Sequence, residues 1–357
     1  MQTIIRAVAG LTLLIILSTA CNSERVEYIG VEGAMIGTTY HITAELPVGS
    51  ESEVRRRAEE LDARLKREMS IFNPDSQLSK INRGESDRTT LWIEQNIRLA
   101  DSISRLSGGV YDITVAPLVE AWGFGGSYNA MIEGEVATPN IDSLLKFVGY
   151  EGITLKDGAI IKRDIRTQID LNSIAKGFAV DRLGEIIEEL GSINYMVDIG
   201  GELVLKGNNP SGGAWRVGIE SPIDGNMTNG EFLEQRIAIS QESELRAIAT
   251  SGNYRRFYIS KDGEKIVHTI NPLTGHAESS TLLSVTVLAP TCAEADGYAT
   301  MLLAAGDKRA EKLASEIENC EVYLIYNNAR ANEDGENGYR EYFSEGMQSR
   351  LMDKIGD

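Results

Sequence analysis

The sequence predicts an α+β protein, mainly antiparallel sheets packed with amphipathic helices. Three observations carry this. Apolar runs of strand length are joined by turn dipeptides, most plainly where Asp157-Gly158 separates Ile153–Leu155 from Ala159–Ile161. Two longer stretches, Glu51–Met69 and Leu91–Leu106, place apolar residues on one helical face. No βαβ rhythm connects them, and Gly200-Gly201 lacks the glycine spacing and following helix of a dinucleotide-binding unit.

The chain has 357 residues, 42% of them hydrophobic, enough to bury the core of one domain over 31–345 with a tail at 346–357. Its net charge of −18 opposes binding to nucleic acid, so no nucleic-acid partner is expected. Any phosphate must then be held locally, by helix dipoles, a metal or single cations. Residues 1–20 read as a signal peptide: Arg6, an apolar stretch over Leu11–Leu17, then small residues. Ser18-Thr19-Ala20-Cys21 resembles a bacterial lipobox, with Ser18 where Leu is usual. Cleavage before Cys21 would leave a lipid-modified N-terminus on a tether over 21–30. The expected setting is the bacterial cell envelope, anchored in the lipid bilayer and facing the periplasm. Without Cys21, Cys292 and Cys320 allow one disulfide at most and show no metal-binding spacing.

Taken in order, Tyr28–Ile42 reads as strand, turn, strand, with the turn at Ile36-Gly37. The Glu51–Met69 helix aligns Val54, Ala58, Leu61 and Leu65. Phe72 precedes the turn Asn73-Pro74-Asp75, and the second helix ends at Ser107-Gly108-Gly109. Val110-Tyr111-Asp112 sets an aromatic ring beside an acid. That pair suits a nucleotide, through stacking and acceptance from ribose hydroxyls, and equally a core Tyr with Asp capping a turn. Gly125–Pro139 reads as a surface loop and Ile141–Val148 as a short helix.

The stretch Ile169–Asp181 organises the chain. Thr167, Ile169 and Leu171 alternate like a strand end, Asn172-Ser173 turn, and a helix runs on through Phe178, Val180, Leu183 and Ile186-Ile187. Asp170 and Ser173 lie near its start, where free N–H groups favour an anion. Lys176 in the first turn opposes the helix dipole, which suits an anionic ligand and equally a capped helix with a solvated lysine. Tyr195–Ile199, Glu202–Leu205, Trp215–Ile219, Ser284–Leu288 and Tyr323–Tyr326 read as strands. Ala247–Asn253 reads as a small-residue loop in which Thr250, Ser251 and Gly252 offer donors to phosphate. His268 is read on a strand. Pro290-Thr291 opens a helix on which Asp296 and Thr300 share a face; they read as two oxygens for a hard cation, or as an N-terminal acid and a Thr bonded back to its own helix. Residues 329–341 read as a polar turn.

These segments together resemble the ApbE family, the FAD:protein FMN transferases. Asp170–Asp181 (DLNSIAKGFAVD) is similar to the family's DLGGIAKGYAVD run and Ala295–Thr300 to its ADALAT segment. Val110–Phe124 resembles GxFDxTVxPLxxxWGF, Ile36–Tyr40 resembles MGTxY, Ser70–Asn82 resembles SxYxxxSxLSxLN, and His268–Gly275 resembles HIIDPxTG. The resemblance implies transfer of FMN from FAD to a Ser or Thr hydroxyl of an acceptor protein, such as a membrane redox-complex subunit carrying a flavinylation motif. It implies FAD contacts at Ile36, Phe72, Val110, Tyr111, Asp112, Asp170, Lys176 and Ile270. It implies Mg²⁺ at Ser173, the Ala175 carbonyl, Asp296 and Thr300, and a catalytic or orienting role for His268. The sequence departs from the pattern at Ile36 (for Met), Phe72 (for Tyr, losing a donor), Asn172-Ser173 (for a Gly pair) and Asn271 (for Asp). An FAD pyrophosphatase and a non-catalytic FAD-binding lipoprotein stand as alternatives.

Overall fold

The structure, a computed structural model, describes residues 25–125, 139–223, 233–254, 257–259, 265–277, 280–327 and 338–352. The signal peptide, Cys21 and most of the expected loop after Gly125 lie outside the described residues. No helix among the described residues is long and apolar enough to cross a membrane.

The strands are β1 (Val26–Met35), β2 (Thr38–Pro47), β3 (Ile153–Lys156), β4 (Ala159–Lys162), β5 (Tyr195–Ile199), β6 (Glu202–Lys206) and β7 (Trp215–Glu220). They continue with β8 (Leu233–Ile239), β9 (Ala247–Gly252), β10 (Phe257–Ile259), β11 (Lys265–Val267), β12 (Leu282–Ala289), β13 (Glu321–Asn327) and β14 (Tyr339–Phe343). Eight of them form one sheet in the order β1-β2-β5-β6-β9-β12-β13-β14, and three hairpins stand apart: β3-β4, β7-β8 and β10-β11. Every strand pairing is antiparallel, as the expected α+β class requires.

The helices are α1 (Glu51–Glu68), α2 (Gln77–Arg83), α3 (Leu91–Ser107), α4 (Ala116–Ala121), α5 (Ile141–Leu144), α6 (Ala175–Glu189), α7 (Cys292–Glu316) and α8 (Glu345–Gln348). Helices α6 and α7 pack on the sheet and on each other, with α1 and α3 alongside. Period-two alternation divides the central strands between two cores. Val204, Val287, Val322 and Leu324 face the helices. Leu203, Leu205, Leu288, Tyr323 and Ile325 face the β7-β8 hairpin.

Four local readings change. Val26–Gly30, expected in the tether, belong to β1. Ala247–Gly252 is a strand, laddered to β12 and β6, so its backbone is committed to the sheet rather than offered to a phosphate. Its small residues fit because α7 packs closely across it. Helix α5 spans only Ile141–Leu144. The polar stretch ending at residue 341 contains the first part of β14.

The turn between β1 and β2 carries strain. Ile36 has φ 43, a left-handed conformation that costs a β-branched residue about 1–2 kcal/mol. Its N–H donates to Asp62 Oδ1 of α1 at 2.8 Å, which holds the turn against the helix. Asn tolerates this conformation, so Ile36→Asn is expected to raise stability by about 1 kcal/mol in urea titration.

Candidate active site

Two helix N-termini meet at the centre of the molecule, and each supplies an aspartate to the other. The first N–H groups of a helix have no partner within it. For α7, Asp181 of α6 accepts from the Cys292 and Ala293 N–H groups at 2.8 and 2.9 Å. Burial pushes the Asp181 carboxyl up to about 6, against the pull of those two donors. In return, Asp296 Oδ2 of α7 accepts from the Gly177 N–H of α6 at 3.0 Å. The approach is this close because Gly177 has no side chain: a Cβ there would overlap the Cys292 carbonyl oxygen. A capping box of Thr291 and Glu294 finishes the start of α7.

Around this crossing lie the charged groups. Asp296 is 3% exposed, and burial raises its carboxyl while the Lys176 charge opposes that rise. Lys176 forms an ion pair with Glu202 at the start of β6. Glu202 is also 3% exposed; burial pushes its carboxyl up to about 7, with Lys176 opposing. Its second oxygen, Oε2, is buried without a hydrogen-bond partner. One helical turn beyond Asp296, the Thr300 hydroxyl lies 3.5 Å from the Ser173 carbonyl and 3.4 Å from Ser251 Oγ. Ser173 Oγ shares a 2.9 Å hydrogen bond with the Tyr111 hydroxyl. Tyr111, the pair Ser173 and Lys176, and the pair Asp296 and Thr300, from three stretches distant in sequence, thus form one connected group.

The turn into α6 is held from behind. Thr167–Leu171 is extended but is not a strand. Instead the Asn82 amide grips the Ile169 peptide: Oδ1 accepts from its N–H and Nδ2 donates to its carbonyl, both at 2.8 Å. The Asp170 N–H donates to the Ile113 carbonyl at 2.7 Å. Asp170 Oδ1 accepts from the Asn172 N–H at 2.8 Å, and burial raises its carboxyl against that donor. Asn82→Ala would orphan both groups of a buried peptide. It is expected to cost about 2–3 kcal/mol in denaturant titration and to lower FAD affinity.

The other expected contacts fall in distinct places. Val110 and Tyr111 are each 2% exposed, with the Tyr111 ring in the core beneath Ser173. Asp112 is engaged internally: Oδ1 accepts from the Thr114 N–H and hydroxyl, each at 2.7 Å, and Oδ2 from the Tyr150 N–H at 2.6 Å. Its carboxylate ties two loops together, the turn-capping use of an acid. Ile36 sits at the β1-β2 turn, half-buried, and Phe72 lies beyond α1, 66% exposed and available for stacking. Ile270 is buried and bridges to Ala277. His268 lies at a bend just past β11 rather than on the strand, half-buried, its ring 6.3 Å from that of Phe124. The next residue, Thr269, donates to Asn253 Oδ1 at 2.8 Å, directly after the strand that carries Ser251. Asn271 Oδ1 accepts from the Leu273 N–H at 2.9 Å, a turn bond an Asp would make equally well.

All these blocks lie within residues 36–324, which match the family model described as the ApbE family. The chain belongs to the ApbE family. It is 36% identical over 322 residues to the FAD:protein FMN transferase of Haemophilus influenzae, covering 87% of this chain and 89% of that protein. It is 32% identical over 334 residues to the FAD:protein FMN transferase of Vibrio cholerae, covering 91% and 93%. The solved structure of the flavin transferase ApbE from Vibrio cholerae matches with a TM-score of 0.75 at 29% identity, covering 92% of this chain and all of that one.

In this ApbE-family chain the donor set at the helix crossing fits a hard divalent cation. Asp296, Thr300 and the Ser173 carbonyl offer oxygen only, which suits Mg²⁺ and leaves room for water and phosphate in its shell. Among the described residues no group of three or more His, Cys, Asp and Glu could hold a metal, so a cation here would need backbone or hydroxyl oxygens as well. The carbonyl that the Thr300 hydroxyl faces at 3.5 Å is that of Ser173. Ala175 is the first residue of α6, where carbonyls point along the helix axis. Sequence reasoning missed Glu202, Asp181 and Asn82 as parts of this site. Asp181 and Asn82 close two of the family-like runs, and Glu202 shows as a charge opening the otherwise apolar run Leu203–Leu205.

Proposed function

We propose that this chain is an FAD:protein FMN transferase. It moves FMN from FAD onto a Thr or Ser hydroxyl of an acceptor protein as a phosphoester and releases AMP. The observation that carries the reading is the convergence of Lys176, Ser173, Asp296 and Thr300 at one helix crossing, in a chain matched to the ApbE family over 36–324.

The residues divide the work. The N-terminal end of α6 and the Lys176 ammonium attract the pyrophosphate of FAD. Asp296 and Thr300, with the Ser173 and Ala175 region, hold Mg²⁺; bound there, it neutralises charge on the pyrophosphate and on the departing phosphate. The acceptor oxygen forms a bond to the FMN phosphorus, the bond from that phosphorus to the bridging oxygen breaks, and AMP leaves with the electron pair. His268 receives the hydroxyl proton, work suited to an imidazole. Phe72 offers a stacking face to the isoalloxazine. In the cell, Cys21 anchors the chain in the bilayer with the domain in the periplasm, and the acceptors are subunits of membrane redox complexes carrying a flavinylation Ser or Thr.

The test mixes a form beginning after Cys21 with FAD, Mg²⁺ and such an acceptor domain, then reads flavin fluorescence on a denaturing gel. A fluorescent acceptor band that disappears with EDTA is expected. Free FMN and AMP without a band would overturn transfer. For the anchor, labelled fatty acid should enter the full chain and not Cys21→Ala.

A further inference from the structure

We infer that Glu202 is a positioning residue that keeps the Lys176 ammonium off Asp296. Asp296 then stays open to the divalent cation, and Lys176 stays open to the FAD phosphates. The inference rests on the metal and FAD reading given above.

Three charged groups from three elements meet here: Lys176 from α6, Glu202 from β6 and Asp296 from α7. The two carboxylates are each 3% exposed, whereas the Lys176 side chain is 39% exposed and so keeps one side toward solvent. Lys176 feels both carboxylates, and its charge is the strongest influence favouring the ionised form of Asp296. Yet its ion pair is with Glu202. The arrangement sets two buried carboxyl groups beside a single ammonium. It also leaves Glu202 Oε2 without a partner, a feature that burial penalises and that packing does not explain.

Removing the Glu202 charge would leave Asp296 as the fully buried carboxylate within reach of the Lys176 charge, with the half-buried Asp198 also in its field. Pairing with Asp296 would occupy the proposed metal ligand and withdraw the cation from the phosphates. Glu202 therefore divides the charges of the site by acting through Lys176.

The test uses the isosteric Glu202→Gln in the form beginning after Cys21. Mn²⁺ binding is measured by electron paramagnetic resonance without FAD, and FAD binding by fluorescence in EDTA. Both affinities are expected to fall, by about tenfold or more, as for other outer partners of metal ligands. A net-charge effect alone would weaken Mn²⁺ but tighten the anionic FAD. A packing role alone would lower the melting temperature and leave both affinities in place. Either result overturns the inference. In Glu202→Gln/Lys176→Met, with both members of the pair neutral, Mn²⁺ affinity should return to the wild-type value while FAD stays weak; persistent loss of Mn²⁺ overturns the inference too. Asp296→Asn separates the two levels. If it binds Mn²⁺ as well as wild type, the metal reading itself fails. If it loses Mn²⁺ while Glu202→Gln does not, only the role of Glu202 fails.

Discussion

Asp296→Asn is expected to lower the Mg²⁺-dependent rate of FMN transfer by about 10²–10³-fold, the scale on which one electrostatic element of a charged transition state is removed. Asn keeps the shape and an oxygen for the Gly177 N–H, so the helix crossing that Asp296 Oδ2 supports survives. What is lost is the carboxylate charge one helical turn before the Thr300 hydroxyl, which faces the Ser173 carbonyl at the crossing. The rate should not recover with excess Mg²⁺, and Mn²⁺ binding should be lost with it. Transfer at the wild-type rate would place the metal elsewhere.

Gly177→Ala is expected to cost about 3 kcal/mol by the usual scale of overpacking. The added Cβ would overlap the Cys292 carbonyl oxygen and come within 2.8 Å of the Ala293 nitrogen. Both obstacles are backbone, so no rotamer change relieves them and the helices must separate. Separation strains both helix-to-helix links, Asp181 to Cys292 and Ala293, and Asp296 to Gly177. The variant should therefore unfold at lower urea and, where still folded, bind FAD and metal poorly. Wild-type stability would show that the crossing is looser than its geometry.

Part of this site was legible in the sequence because its signals are local. Asp296 and Thr300 are one turn apart on a helix with a recognisable start, and Lys176 stands against a helix dipole. The Asp157-Gly158 turn was legible from the backbone it requires. The rest depends on partners far along the chain. Glu202 meets Lys176 across 26 positions, and Asn82 grips Ile169 across 87. No periodicity records such pairings. The segment Thr167–Leu171 alternates like a strand, but a side-chain amide takes the place of a neighbouring strand. In Ala247–Gly252 the small residues resembled a loop because the strand is shaped by the helix packed on it. Asp112 allowed two readings, and its three internal donors make it a clamp between loops.

The most direct test of the central claim is a product balance under single turnover. FAD is limiting, and AMP and acceptor-bound flavin are counted in the same sample. Transfer predicts one AMP for each flavin ester formed, with no free FMN, and both products absent in EDTA or with Asp296→Asn. AMP matched by free FMN, with the acceptor unmodified, would make the chain a hydrolase and contradict the account.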